Sequence, residues 1–181
     1  MVNDIVRAVK LELEFIFGGE ASILQRSNFK NGNWPSYKMP LITIHLQPGD
    51  ESQQMLGGWT MEDWRITLSV YTHTPDLGGT DPTSFSDDQL EIIEQVQTAF
   101  SDYAVFNTAE MQALQPNYGT RWTYMGKTEA EALEHPDGLC LGMAIHFDTI
   151  SLYEKTTGFV CTTPLSTITE INPPANTPSG Q

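Results

Sequence analysis

Apolar residues recur at spacings of three and four along the first seventeen positions: Val2, Ile5, Val6, Val9, Leu13, Ile16 and Phe17. That period predicts an amphipathic helix over 3–17 with a single buried stripe. Asn3 is placed to cap it, Asp4 to favour its first turn, and Arg7, Lys10, Glu12 and Glu14 to face solvent. Gly18-Gly19 ends it. The polar stretch from Ala21 to Pro40 reads as loop, with a turn at Asn31-Gly32 and an anchor at Trp34-Pro35.

The period then changes to two. Ile42, Ile44 and Leu46 alternate with Thr43 and His45, and Pro48-Gly49-Asp50 reads as the turn that follows. Trp64, Ile66, Leu68 and Val70 face one way and Arg65, Thr67, Ser69 and Tyr71 the other, which predicts a strand antiparallel to its predecessor. After a Gly/Pro loop, Ser86 and Gln89 form a capping box, and Phe85 and Leu90 match a hydrophobic staple. They open a helix from Asp87 to about Tyr103, with Leu90, Ile93, Val96 and Phe100 as its buried stripe. Arg121 to Lys127 and Leu139 to Tyr153 read as a second hairpin system. The apolar face of the latter moves from Phe147 to Ile150, which predicts a bulge near Asp148. Thr128 to Leu133 reads as a helical turn or an exposed excursion. The fold class is α+β: a mainly antiparallel sheet with two helices packed on it, over residues 1–155.

Residues 156–181 differ in composition, with seven threonines, four prolines and little charge. They are expected to lie outside the fold, either as a frayed tail or as an extended arm that orders on a neighbouring subunit. Phe159, Val160, Leu165, Ile168 and Ile171 are more apolar side chains than an inert spacer needs, and are expected at a subunit interface together with Trp34 and Trp59.

Charge narrows the function classes. The 181 residues hold 9 Lys and Arg against 23 Asp and Glu, a net charge of −14. Between Arg65 and Arg121 there are eight acids and no basic residue, so the segment lacks the cationic footprint of a nucleic-acid grip. No apolar run reaches the ~20 residues that span a bilayer. Cys140 and Cys161 are too few for a disulfide framework and lack C-x-x-C spacing.

No catalytic constellation emerges. Phosphate-binding glycine motifs and the nucleophile elbow are absent. Ser27 and Lys30 make an S-x-x-K without its partner motifs. His45, His73, His135 and His146 lack metal spacing, and His135 with Asp137 supplies only two ligands. The Asp87-Asp88 pair is explained by helix capping. No cofactor, metal or membrane is implied, and the chain is expected not to be an enzyme.

Three stretches carry a resemblance. They are the helix 3–17 opening through a loop into Pro40-Leu41-Ile42-Thr43-Ile44; Trp64-Arg65-Ile66-Thr67-Leu68-Ser69-Val70-Tyr71 leading to the helix at Asp87-Asp88-Gln89-Leu90-Glu91-Ile92-Ile93; and the closing strand Met143-Ala144-Ile145-His146-Phe147. In this order the chain resembles the tail terminator, or tail-completion, family of tailed bacteriophages. The resemblance implies a structural virion protein made in the host cytoplasm. It would form a ring in the neck, usually six-fold and alternatively twelve-fold, that joins tail to head connector. DNA would pass through the lumen without being specifically bound, and partners would be other neck, tail-tube or connector proteins. A ring of this charge repels phosphate and lets DNA slide. The competing reading is a small-ligand or carbohydrate binding module that uses Trp34, Trp59, Trp122 and Tyr124 as stacking platforms.

Overall fold

A computed structural model describes residues 2–30, 36–54, 59–73, 85–101, 105–118, 121–135 and 138–154. Helix α1 spans Val2–Phe17, α2 Asp87–Ala99 and α3 Ala109–Tyr118. The strands are β1 (Ser22–Gln25), β2 (Leu41–Gln54), β3 (Trp59–His73), β4 (Arg121–His135) and β5 (Gly138–Glu154). They form one sheet in the order β1-β2-β3-β5-β4. All neighbours pair antiparallel except β1 on β2, which is parallel. The fold is α+β, as the sequence predicts. The segment 156–181, with Phe159, Val160, Leu165, Ile168 and Ile171, lies outside the described residues, as does Trp34.

Strand alternation sorts side chains onto two faces. Ile42 and Ile44 of β2, Ile66, Leu68 and Val70 of β3, and Ile145 and Phe147 of β5 share the inner face. All three helices seal it. α1 contributes Ile5, Val9 and Leu13, α2 contributes Ile93 and Val96, and α3 contributes Met111 and Leu114. At one end an aromatic cluster closes the core, where Phe100 lies 5.8 Å, centroid to centroid, from both Trp122 and Phe147.

The outer face has its own smaller cluster at the opposite end, around Leu41, Tyr71, Leu133 and Cys140. Tyr71 packs against Gly142 there. A Cβ on that glycine would meet the Tyr71 ring at 2.6 Å, so a side chain is excluded by packing.

The structure corrects several local expectations. α1 begins at Val2, so Asn3 lies inside its first turn, and Glu12 is buried rather than solvated. The stretch 21–40 is not all loop: it contains β1 and a 3₁₀ turn, Arg26–Asn28. Pro48-Gly49-Asp50 does not turn the chain, because β2 runs on to Gln54 with a register shift between Pro48 and Ser52. Among the described residues β1 pairs with Leu41 to Ile44 only, and no other strand pairs with the outer edge of β2 beyond. An edge is where a residue without an N–H is tolerated in a strand.

α2 ends at Ala99, short of Tyr103. Its capping box is present, with Ser86 Oγ accepting from Gln89 N and Gln89 Oε1 accepting from Ser86 N. Leu90, expected in the buried stripe and the staple, is 41% exposed. Gln89 is buried in its turn, its amide donating to the His73 carbonyl. Thr128 to Leu133 is neither helix nor excursion but part of β4. The bulge expected near Asp148 is not on β5, which pairs with β3 without a shift. The irregularities sit on β4 instead, at Tyr124/Gly126 and at Ala130/Leu133. Thr149, not Ile150, is the buried residue after Phe147.

Candidate functional site

Two places concentrate polar chemistry among the described residues. The first joins α1 to α3. Glu12 is 1% exposed, and its carboxylate accepts four hydrogen bonds. Asn107 donates its backbone N–H (2.8 Å) and its Nδ2 (2.9 Å) to Oε1. Thr108 donates its backbone N–H (2.8 Å) and its hydroxyl (2.7 Å) to Oε2. Thr108 Oγ1 also accepts from Met111 N, so the same residue caps α3. Burial alone would raise the Glu12 pKa. The hydrogen bonds from Asn107 and Thr108 outweigh it and hold the carboxyl below its ordinary value. The group is therefore an ionised strut, with both oxygens committed to the protein.

Beside this strut runs an open groove of about 570 Å³ between α1 and α2. Ile16, Ala99 and Val105 supply apolar surface, and Glu91 and Glu94 stand on the α2 side. Among the described residues none of the lining is basic.

The second place is the polar half of the outer sheet face. His146 on β5 bridges its two neighbours, with Nδ1 3.1 Å from Thr67 Oγ1 and Nε2 2.8 Å from Thr128 Oγ1. Two residues along, Asp148 accepts from Arg65 Nε at 2.8 Å and from Arg65 Nη2 at 3.3 Å. Together these bonds tie β3, β5 and β4 across the face. A hydrolytic triad needs a carboxylate on the imidazole. Here both ring nitrogens meet threonine hydroxyls, and Asp148 is taken by Arg65.

The other candidates separate. Among the described residues no three His, Cys, Asp or Glu side chains are grouped as metal ligands. Cys140 is buried, and burial pushes its thiol up to about 11, which leaves it protonated and poorly nucleophilic at neutral pH. Trp122 is a core plug at 6% exposure, so it offers no stacking platform, and Tyr124 packs half-buried against Phe147. Trp59 opens β3 opposite Glu154, and its side chain lies outside the described residues. The Glu12 strut was missed because Glu12 occupies a formally polar helix position. Its only sequence signal is Asn107-Thr108, a cap-like pair just before α3. The chain matches no protein-family model and no curated protein.

Proposed function

We propose that this protein is a structural subunit of a tailed-phage neck, forming a ring that terminates the tail and joins it to the head connector. The observation that best supports the reading is the overhang of the sheet. A sixteen-residue helix such as α1 is ~24 Å long, whereas a seventeen-residue strand such as β5 spans ~56 Å. Past Trp64, β2, β3 and β5 keep pairing as far as Gln54↔Thr60 and Trp59↔Glu154. A sheet that outruns its helices offers surface to neighbours, and its two different edge strands, β1 and β4, suit head-to-tail contacts that close into a ring. The charge of −14 agrees with a lumen that passes DNA without holding it.

The test is assembly. Light scattering across a concentration series, with electron microscopy of the highest sample, is expected to show closed rings at multiples of 20.2 kDa, six-fold or twelve-fold. Antibody labelling of purified particles is expected to mark the neck. A monomer at every concentration, together with absence from particles, would sink the reading.

A further inference from the structure

We infer that the groove between α1 and α2 is a docking site for a cationic amphipathic segment of another protein. The groove lies on a single chain, so the inference stands apart from the ring reading. Its lining sets three apolar side chains among polar ones, with the exposed carboxylates of Glu91 and Glu94 on the α2 side. Ile16 and Ala99 line it, and Val105, 89% exposed, projects beside them. Phe15, next to Ile16 on α1, is 62% exposed. Phe15 is outside the groove's lining, so Val105 is the exposed apolar side chain within it, a position a partner's apolar face would cover.

Charge selects the occupant. Glu91 and Glu94, one turn apart on α2, both line the groove, and no Lys or Arg lines it among the described residues. A partner with Lys or Arg at three- or four-residue spacing would meet both carboxylates while its apolar side chains cover Ile16 and Val105. The chain's own arm does not fit this requirement. Residues 156–181 contain Glu170 and no Lys or Arg, so a second copy's arm would bring no compensating charge. A bilayer with anionic headgroups is disfavoured by the same carboxylates. The Glu12 strut holds Asn107, another lining residue, in place before any partner arrives, which lowers the ordering cost of binding.

The experiment uses the full chain and a fluorescein-labelled eighteen-residue helix with leucines on one face and lysines on the other. Two control peptides accompany it: a scramble of the same composition, and a version with glutamates for lysines. Fluorescence anisotropy at low salt is expected to show saturable binding of the amphipathic peptide alone, weakening as salt rises. The Glu91→Gln/Glu94→Gln double variant should bind about five-fold more weakly, the scale of two exposed ion pairs. Val105→Ser, at a position too exposed to affect folding, should also weaken binding. Equal binding of the scramble would reduce the effect to bulk charge and overturn the proposal. So would unchanged affinity in the two variants with intact circular-dichroism melts. Capture of the protein by phosphatidylcholine vesicles, without peptide binding, would reassign the surface to lipid and overturn it as well.

Discussion

The two faces of the sheet are held by different physics. On the inner face, three helices bury Ile, Leu, Val and Phe side chains in one continuous cluster. On the outer face, one end is apolar around Tyr71 and Leu133, and the other is a run of cross-strand polar bonds through His146, Thr67, Thr128, Arg65 and Asp148. Apolar burial is non-directional and scales with area. Cross-strand hydrogen bonds exchange for water and return only ~1 kcal/mol each. The inner face should therefore carry most of the stability, while the outer face fixes register and presents chemistry.

Truncations probe that division most strongly at the inner face. Leu68→Ala and Ile93→Ala, at fully buried sites, are each expected to cost about 2–5 kcal/mol in urea unfolding. A cost below that of an outer-face change would invert the comparison. Next comes Glu12, a charged group buried beneath the helices. Glu12→Gln keeps the shape but sets an amide donor against the donors of Asn107 and Thr108, for an expected loss of about 2–4 kcal/mol near pH 7. Because folding lowers the Glu12 pKa, its stabilisation is complete above the ordinary carboxyl range and is lost as pH falls through the folded value. Wild type and variant should converge in stability between neutral and strongly acidic pH. A gap independent of pH would show that ionised Glu12 is not the source.

On the outer face, Gly142→Ala drives a methyl into the Tyr71 ring and the Ala130 methyl, and about 1–3 kcal/mol is expected. Combining it with Tyr71→Leu should recover part of that loss; strict additivity would mean the contact is not the cause. The smallest effect belongs to Arg65→Ala. Arg65 is half exposed, so its loss should move the thermal midpoint by less than about 1 kcal/mol equivalent, and less still in high salt.

Regular periods were readable in the sequence and interrupted ones were not. α1, the inner faces of β2, β3 and β5, and the capping box of α2 all follow from uninterrupted spacing. β4 does not, because its two bulges reverse which residues face inward. Trp122 and Tyr124 point to the helices, then Thr128 and Ala130 lie outward, and Leu133 stays outward despite the change of parity. α3 escapes notice because Pro116 falls within it and only Met111 and Leu114 are buried among its described side chains. It is held by a cap at Thr108 and a carboxylate 96 residues away. β1 is too short to show a pattern and exists by pairing with β2. Glu12 and His146, which organise the two polar places, each depend on residues brought from distant segments.

The position of β3 has a consequence for how the chain is made. β3 lies at the centre of the sheet, yet only its β2 side is local; its other edge waits for β5, which starts at Gly138. Until β5 leaves the ribosome, the nascent chain carries an unpaired edge flanked by Leu68 and Val70, the kind of surface on which chains aggregate. The Glu12 bonds likewise wait for residues 107 and 108, and the Arg65–Asp148 pair joins positions 83 apart. Such non-local closure makes folding slow for a chain of this size. The pairing of β3 is thus completed only after β5 has been synthesised, and the interval between β3 and β5 is when its open edge is most exposed to other chains.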